Sequence, residues 1–164
     1  MKLPPPHLFV RDVIVVIATA LAWWFEPGLR EGALAWPVAI GTGLLTAIVG
    51  FLAHEYGHLS ASLATGARVS YPSSPLSTLL FHFDSAKNDR RQFLWMSLGG
   101  YVSSVIGIGL IVVLVPHDAW AGRISVLLAV AGLVVTFVLE VPITMRVFRG
   151  APLPLDAAYR PHQG

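Results

Sequence analysis

From Ala33 to Ala53 the chain carries no charged side chain, and this run leads without a break into His54-Glu55-Tyr56-Gly57-His58. About 20 consecutive apolar residues let a helix cross the hydrocarbon core of a bilayer. In that medium every backbone N–H and C=O must be paired within the segment, so so long a run is expected to be helical. The helix should continue past the histidines to about Ala64, where Gly66 supplies a stop. Residues four apart share one helix face, so His54 and His58 can grip a single metal ion. Glu55 stands beside them, where it could take a proton from a water the ion polarises.

Three further apolar segments accompany this one. They are Leu8–Phe25, Phe93–Val115 (closed by Pro116) and Ile124–Phe148, the last interrupted by Glu140 and Pro142. Only 12% of the residues are charged and 55% are hydrophobic, whereas a soluble domain carries about a quarter charged residues. Trp23 and Trp24 suit a membrane interface at the end of the first run. That run is read as a retained span for want of a convincing small-residue cleavage site, Ala18-Thr19-Ala20 being the nearest match to one. The expected fold is an all-α integral membrane protein forming one embedded domain over residues 1–164. It is a bundle of four predicted transmembrane helices, spanning about residues 8–25, 33–64, 93–115 and 124–148. Within loop 66–92, segments 67–71 and 78–84 alternate as short strands do, with Pro72 and Pro75 between them.

Charge placement sets an orientation. Lys2, Arg11, Arg68, Lys87, Arg90, Arg91, Arg146, Arg149 and Arg160 fall on one side of such a bundle, and only Arg30 and Arg123 on the other. The positive-inside rule then puts both termini and the 66–92 loop in the cytoplasm. His54 and His58, late in the second span, and Glu140, late in the fourth, come to the same cytoplasmic half. The basic residues are few and are not interleaved with exposed aromatics, which argues against a nucleic-acid partner. With no cysteine, disulfides, thiolate metal sites and cysteine nucleophiles are excluded.

Helices in lipid approach one another through small side chains. At about 100° per residue, Gly43, Ala47, Gly50, Gly57 and Ala61 form one stripe that also contains His54 and His58. Ser97, Gly100, Ser104 and Gly107 make a matching seam on the third span, and Ala129, Gly132 and Thr136 align with Glu140 on the fourth. The histidines should therefore point into the bundle, and Gly50 and Gly107 should be intolerant of enlargement.

Zinc is the expected metal, since Zn2+ accepts nitrogen and oxygen ligands, and a catalytic site supplies three of them plus an open position. A third ligand must join His54 and His58. The candidates are Glu140, Asp156 and, more remotely, His82 or Asp84, which otherwise read as an exposed strand edge. Glu140 reads alternatively as a buried acid helping to break the helix near Pro142, and Asp156 as a helix N-cap. Histidines that merely hydrogen-bond between helices are the plain alternative to a metal site. Haem rarely takes both members of an i, i+4 pair on one iron. Ser60, Ser62, Ser103 and Ser104 read as helix-packing groups.

His54-Glu55-Tyr56-Gly57-His58, the turn at Thr65-Gly66-Ala67-Arg68-Val69 and the segment Leu98-Gly99-Gly100-Tyr101-Val102-Ser103-Ser104 together resemble the site-2 protease family of intramembrane zinc metalloproteases. The likeness covers roughly residues 40 to 115 and is to compact members without a soluble sensor domain. It implies a helix bundle with the zinc below the membrane surface. Pro152-Leu153-Pro154-Leu155-Asp156-Ala157 is similar to the family's closing Leu-Asp-Gly stretch, with Ala157 in place of Gly and no upstream Asn. By that resemblance Asp156 is the third ligand, with Glu140 as the alternative. The implied activity is hydrolysis of a peptide bond in or near the transmembrane segment of another membrane protein. Glu55 would be the general base. A strand edge such as Thr78–Phe83 could hold the unwound substrate by β-augmentation. The rival reading is a non-catalytic relative that binds metal or a client helix without cleaving it. A metal transporter would need more ionisable residues along its path.

Overall fold

The computed structural model describes residues 4–155, and these form four long helices and one two-stranded sheet. Helix α1 is Pro6–Phe25, continued by a 3-10 turn at Glu26–Leu29; α2 is Ala35–Ala64, α3 is Arg90–Leu114 and α4 is Trp120–Phe148. All four are long and apolar enough to cross a membrane. Strands β1 (Val69–Ser70) and β2 (His82–Phe83) pair antiparallel, with Val69 opposite Phe83 and Ser70 opposite His82.

Local chemistry accounts for most boundaries. Pro6 opens α1 at a position where the missing N–H has no helical partner to lose. Helix α2 stops at Gly66, whose φ of 70° lets the N–H groups of Gly66 and Ala67 turn back to the carbonyls of Leu63 and Ser62. Helix α3 starts at Arg90 rather than Phe93, because Asp89 and Gln92 form a reciprocal capping box. Helix α4 begins at Trp120 rather than Ile124 and runs through Pro142 to Phe148, so neither Glu140 nor Pro142 breaks it.

The chain runs up and down. Leu8 from the start of α1, Leu59 from the end of α2, Phe93 and Met96 from the start of α3 and Val147 from the end of α4 share one buried cluster. Leu80, Phe81 and Phe83 of the loop complete that cluster. Tyr71 packs against it, and burial pushes its phenol above the ordinary range. At the opposite end Trp36 stacks on Trp120 at 4.9 Å, and Arg30 pairs with Asp118 at 3.5 Å. Helix α2 is central, touching α1, α3 and α4. Outward residues such as Ile14, Ile17, Val113, Leu114 and Val138 are exposed, as lipid-facing positions of a bundle would be.

The strands are shorter than their alternation suggests. Only His82 and Phe83 of the 78–84 stretch pair in a ladder, so Thr78–Leu80 offers no strand edge. The segment turns inward instead, which buries Leu80 completely. Asp84 is also buried, not an exposed edge, and pairs with Lys87 at 3.0 Å.

Candidate metal centre

The site is built where α2 meets α3 and α4. Helices α2 and α3 touch backbone to backbone at Gly57 and Gly99: a Cβ on Gly57 would strike Ser103 and the Gly99 carbonyl, and one on Gly99 would strike the Gly57 carbonyl. One residue further on, a Cβ on Gly100 would collide with the His58 ring. The expected small-residue seam therefore exists, but its tightest points are Gly57, Gly99 and Gly100 between α2 and α3, and Gly43 against Ile124 of α4. At Gly50 an added Cβ would sit 3.4 Å from Ile111, and at Gly107 3.9 Å from Ala53, so these two are not the critical positions.

That close approach brings acceptors of α3 onto both imidazoles. His58 Nδ1 lies 2.8 Å from the Met96 carbonyl. His54 Nδ1 lies 2.8 Å from Ser104 Oγ and 3.3 Å from the Gly100 carbonyl. The Met96 carbonyl only accepts, so His58 Nδ1 carries hydrogen, and in a neutral imidazole that leaves its Nε2 with a lone pair. His54 takes the same tautomer when its Nδ1 donates to the Gly100 carbonyl, the Ser104 hydroxyl being able to donate or accept. The two Nε2 atoms face each other at 3.0 Å. Glu140 of α4 closes the group, with Oε1 3.2 Å from His54 Nε2 and Oε2 3.3 Å from His58 Nε2. His54 and His58 are buried and Glu140 is partly buried.

Two ring nitrogens and a carboxylate thus converge, an arrangement that could hold a metal ion. Ligands about 2.0–2.1 Å from a tetrahedral zinc lie roughly 3.3 Å from one another. The two Nε2 atoms are 3.0 Å apart, and each has a different Glu140 oxygen at 3.2 or 3.3 Å. One ligand atom from each residue lies within 4.8 Å of the others, which is compatible with a shared ion. Among the described residues His54, His58 and Glu140 are the group of side chains able to hold a metal ion. Glu140 lies outside the two-histidine motif and arrives from another helix. His82 and Asp84 do not join the group, and Asp156 lies outside the described residues.

Glu55 points to the loop side of the same centre. Its Oε2 accepts the backbone N–H of Leu80 at 3.0 Å. Beneath the loop a half-open cavity of about 100 Å3 is bounded by Glu55, His58, Leu79, Phe81, Phe83 and Glu140. On the other side of His54, a cleft of about 80 Å3 between α2, α3 and α4 is lined by small and apolar residues that include Gly50, Ala129 and Gly132. Sequence reasoning missed the Ser104 and Met96 contacts and the Leu80 amide. Ser104 lay on the recognised α3 seam and was a signal of sorts; the backbone groups gave none. The chain matches no protein-family model, no curated protein and no solved structure.

Proposed function

We propose that the protein is a membrane-embedded zinc peptidase of the kind the site-2 protease resemblance implies, with His54, His58 and Glu140 holding the metal. The observation that carries this is the convergence of two Nε2 atoms and a carboxylate, with both Nδ1 atoms tied to α3 and Glu55 alongside. Such anchoring of the distal nitrogen is the usual support for a ligating imidazole. When bound, zinc would polarise the scissile carbonyl and acidify a water.

The protein's own groups do the rest. Glu55 borders the cavity and is held through Oε2, which leaves Oε1 to accept the proton of the attacking water. As the water oxygen adds to the carbonyl carbon and the C–N bond breaks, Glu55 returns that proton to the departing amine. Phe81, Phe83 and Leu79 wall the cavity and limit its water. By the charge count the site end faces the cytoplasm, and the substrate is a membrane protein cut in or near its transmembrane segment.

A second reading, binding of a client without hydrolysis, is favoured by one observation: the Leu80 amide already occupies one oxygen of Glu55. Purified protein assayed with membrane-protein substrates decides between them. We expect about one zinc per chain, with cleavage falling at least about 1000-fold in Glu55→Gln while zinc is retained. Zinc without any Glu55-dependent cleavage would establish the second reading instead.

A further inference from the structure

Helix α1 contributes no member of the metal group, yet it carries a buried carboxylate beside a guanidinium. Asp12 is 5% exposed, and its Oδ1 accepts Arg11 Nε–H at 2.7 Å. Its Oδ2 accepts the Tyr56 hydroxyl at 2.8 Å. Arg11 Nη1 also donates to the carbonyls of Ser77 at 2.7 Å and Pro75 at 3.2 Å. Three residues beyond Ser77, the Leu80 N–H reaches Glu55, the sequence neighbour of Tyr56. The contacts close a ring through α1, the loop and α2. Both ends of the ring fall on the Glu55–Tyr56 pair.

A partly buried ion pair is a poor device for stability alone, because apolar side chains of similar volume hold helices together as well or better. What charged groups provide is a defined position for what they touch. Here Arg11 fixes the carbonyls that set where the Leu80 amide points, and Asp12 fixes the Tyr56 side chain on the same turn as Glu55. We infer that Arg11, Asp12 and Tyr56 are positioning residues for Glu55, acting through the Leu80 amide and the α2 backbone. The inference rests on the reading of Glu55 as the general base.

The test compares wild type with Arg11→Met and Tyr56→Phe, each with zinc measured. Three quantities are read: kcat, KM, and the exchange rate of the Leu80 amide proton by NMR in micelles. Misplacing a catalytic group by about 1 Å can cost about 100-fold in rate. Arg11→Met should therefore lower kcat by roughly ten- to 100-fold with KM and zinc unchanged. Its Leu80 amide should exchange at least about tenfold faster, while the α2 and α3 amides keep their protection. Tyr56→Phe removes a single hydroxyl and should lower kcat by about tenfold. If Arg11→Met does not assemble, Tyr56→Phe decides alone. Unchanged kcat in Tyr56→Phe, or unchanged kcat and Leu80 exchange in Arg11→Met, would overturn the inference. Were wild type to cleave nothing, the peptidase reading would fall, and Leu80 exchange in Arg11→Met would still decide whether Arg11 holds that amide on Glu55.

Discussion

Helix α2 presents two unlike faces to its neighbours. Toward α3, backbones touch at Gly57 and Gly99, Gly100 lies flat against the His58 ring, and polar atoms of α3 seat both imidazoles. Toward α4 the contact is uneven: a Cβ on Gly43 would strike Ile124, whereas beside the site the packing opens into the cleft at Gly132, around whose Cα an added Cβ would meet nothing within 4 Å. The tight face aims the two histidines before any ion is present. The more open face brings in the Glu140 carboxylate, the candidate third ligand. Orientation and closure of the site are thus assigned to different helices.

The contrast can be broken at its tight side first. Gly100→Leu drives a side chain into the His58 ring, and overpacking of this kind costs about 3 kcal/mol or more. We expect loss of zinc together with a large drop in thermal stability, read by differential scanning fluorimetry; a stable, zinc-replete variant would refute the close approach. Ser104→Ala is milder. It removes the shorter contact on His54 Nδ1 and leaves the Gly100 carbonyl, so zinc affinity by competition titration should fall by about tenfold. On the open side Gly132→Leu should change thermal stability by no more than about 0.5 kcal/mol. An effect there as large as at Gly100 would erase the distinction between the faces.

Much of this was legible in the residues. Uncharged runs announced the four helices, Gly66 announced the end of α2, and the small-residue stripe correctly turned His54 and His58 inward. Depth and face put Glu140 among the candidate ligands. The tightest contacts were not legible, because which glycine meets which depends on the rotation of α3 against α2. Gly50 shares the α2 stripe with Gly57, and Gly107 the α3 seam with Gly100, but both lie where the helices are further apart. The Leu80 amide could not be read at all, since a backbone N–H is common to nearly every residue. Arg11 was read as one more positive charge at a helix end, and its contacts with Pro75 and Ser77 depend on where a proline-containing loop folds back. The capping box at Asp89 and Gln92 was written in the sequence and accounts for the earlier start of α3.

The central claim is that the ion is held by two helices of the bundle, through His54, His58 and Glu140. Zinc bound per chain, measured by elemental analysis on purified wild type, His54→Ala and Glu140→Ala, tests it most directly. The account predicts about one equivalent in wild type and well under a tenth of that in both variants at micromolar zinc, because each substitution removes one of three ligands. A full equivalent retained by Glu140→Ala would contradict it.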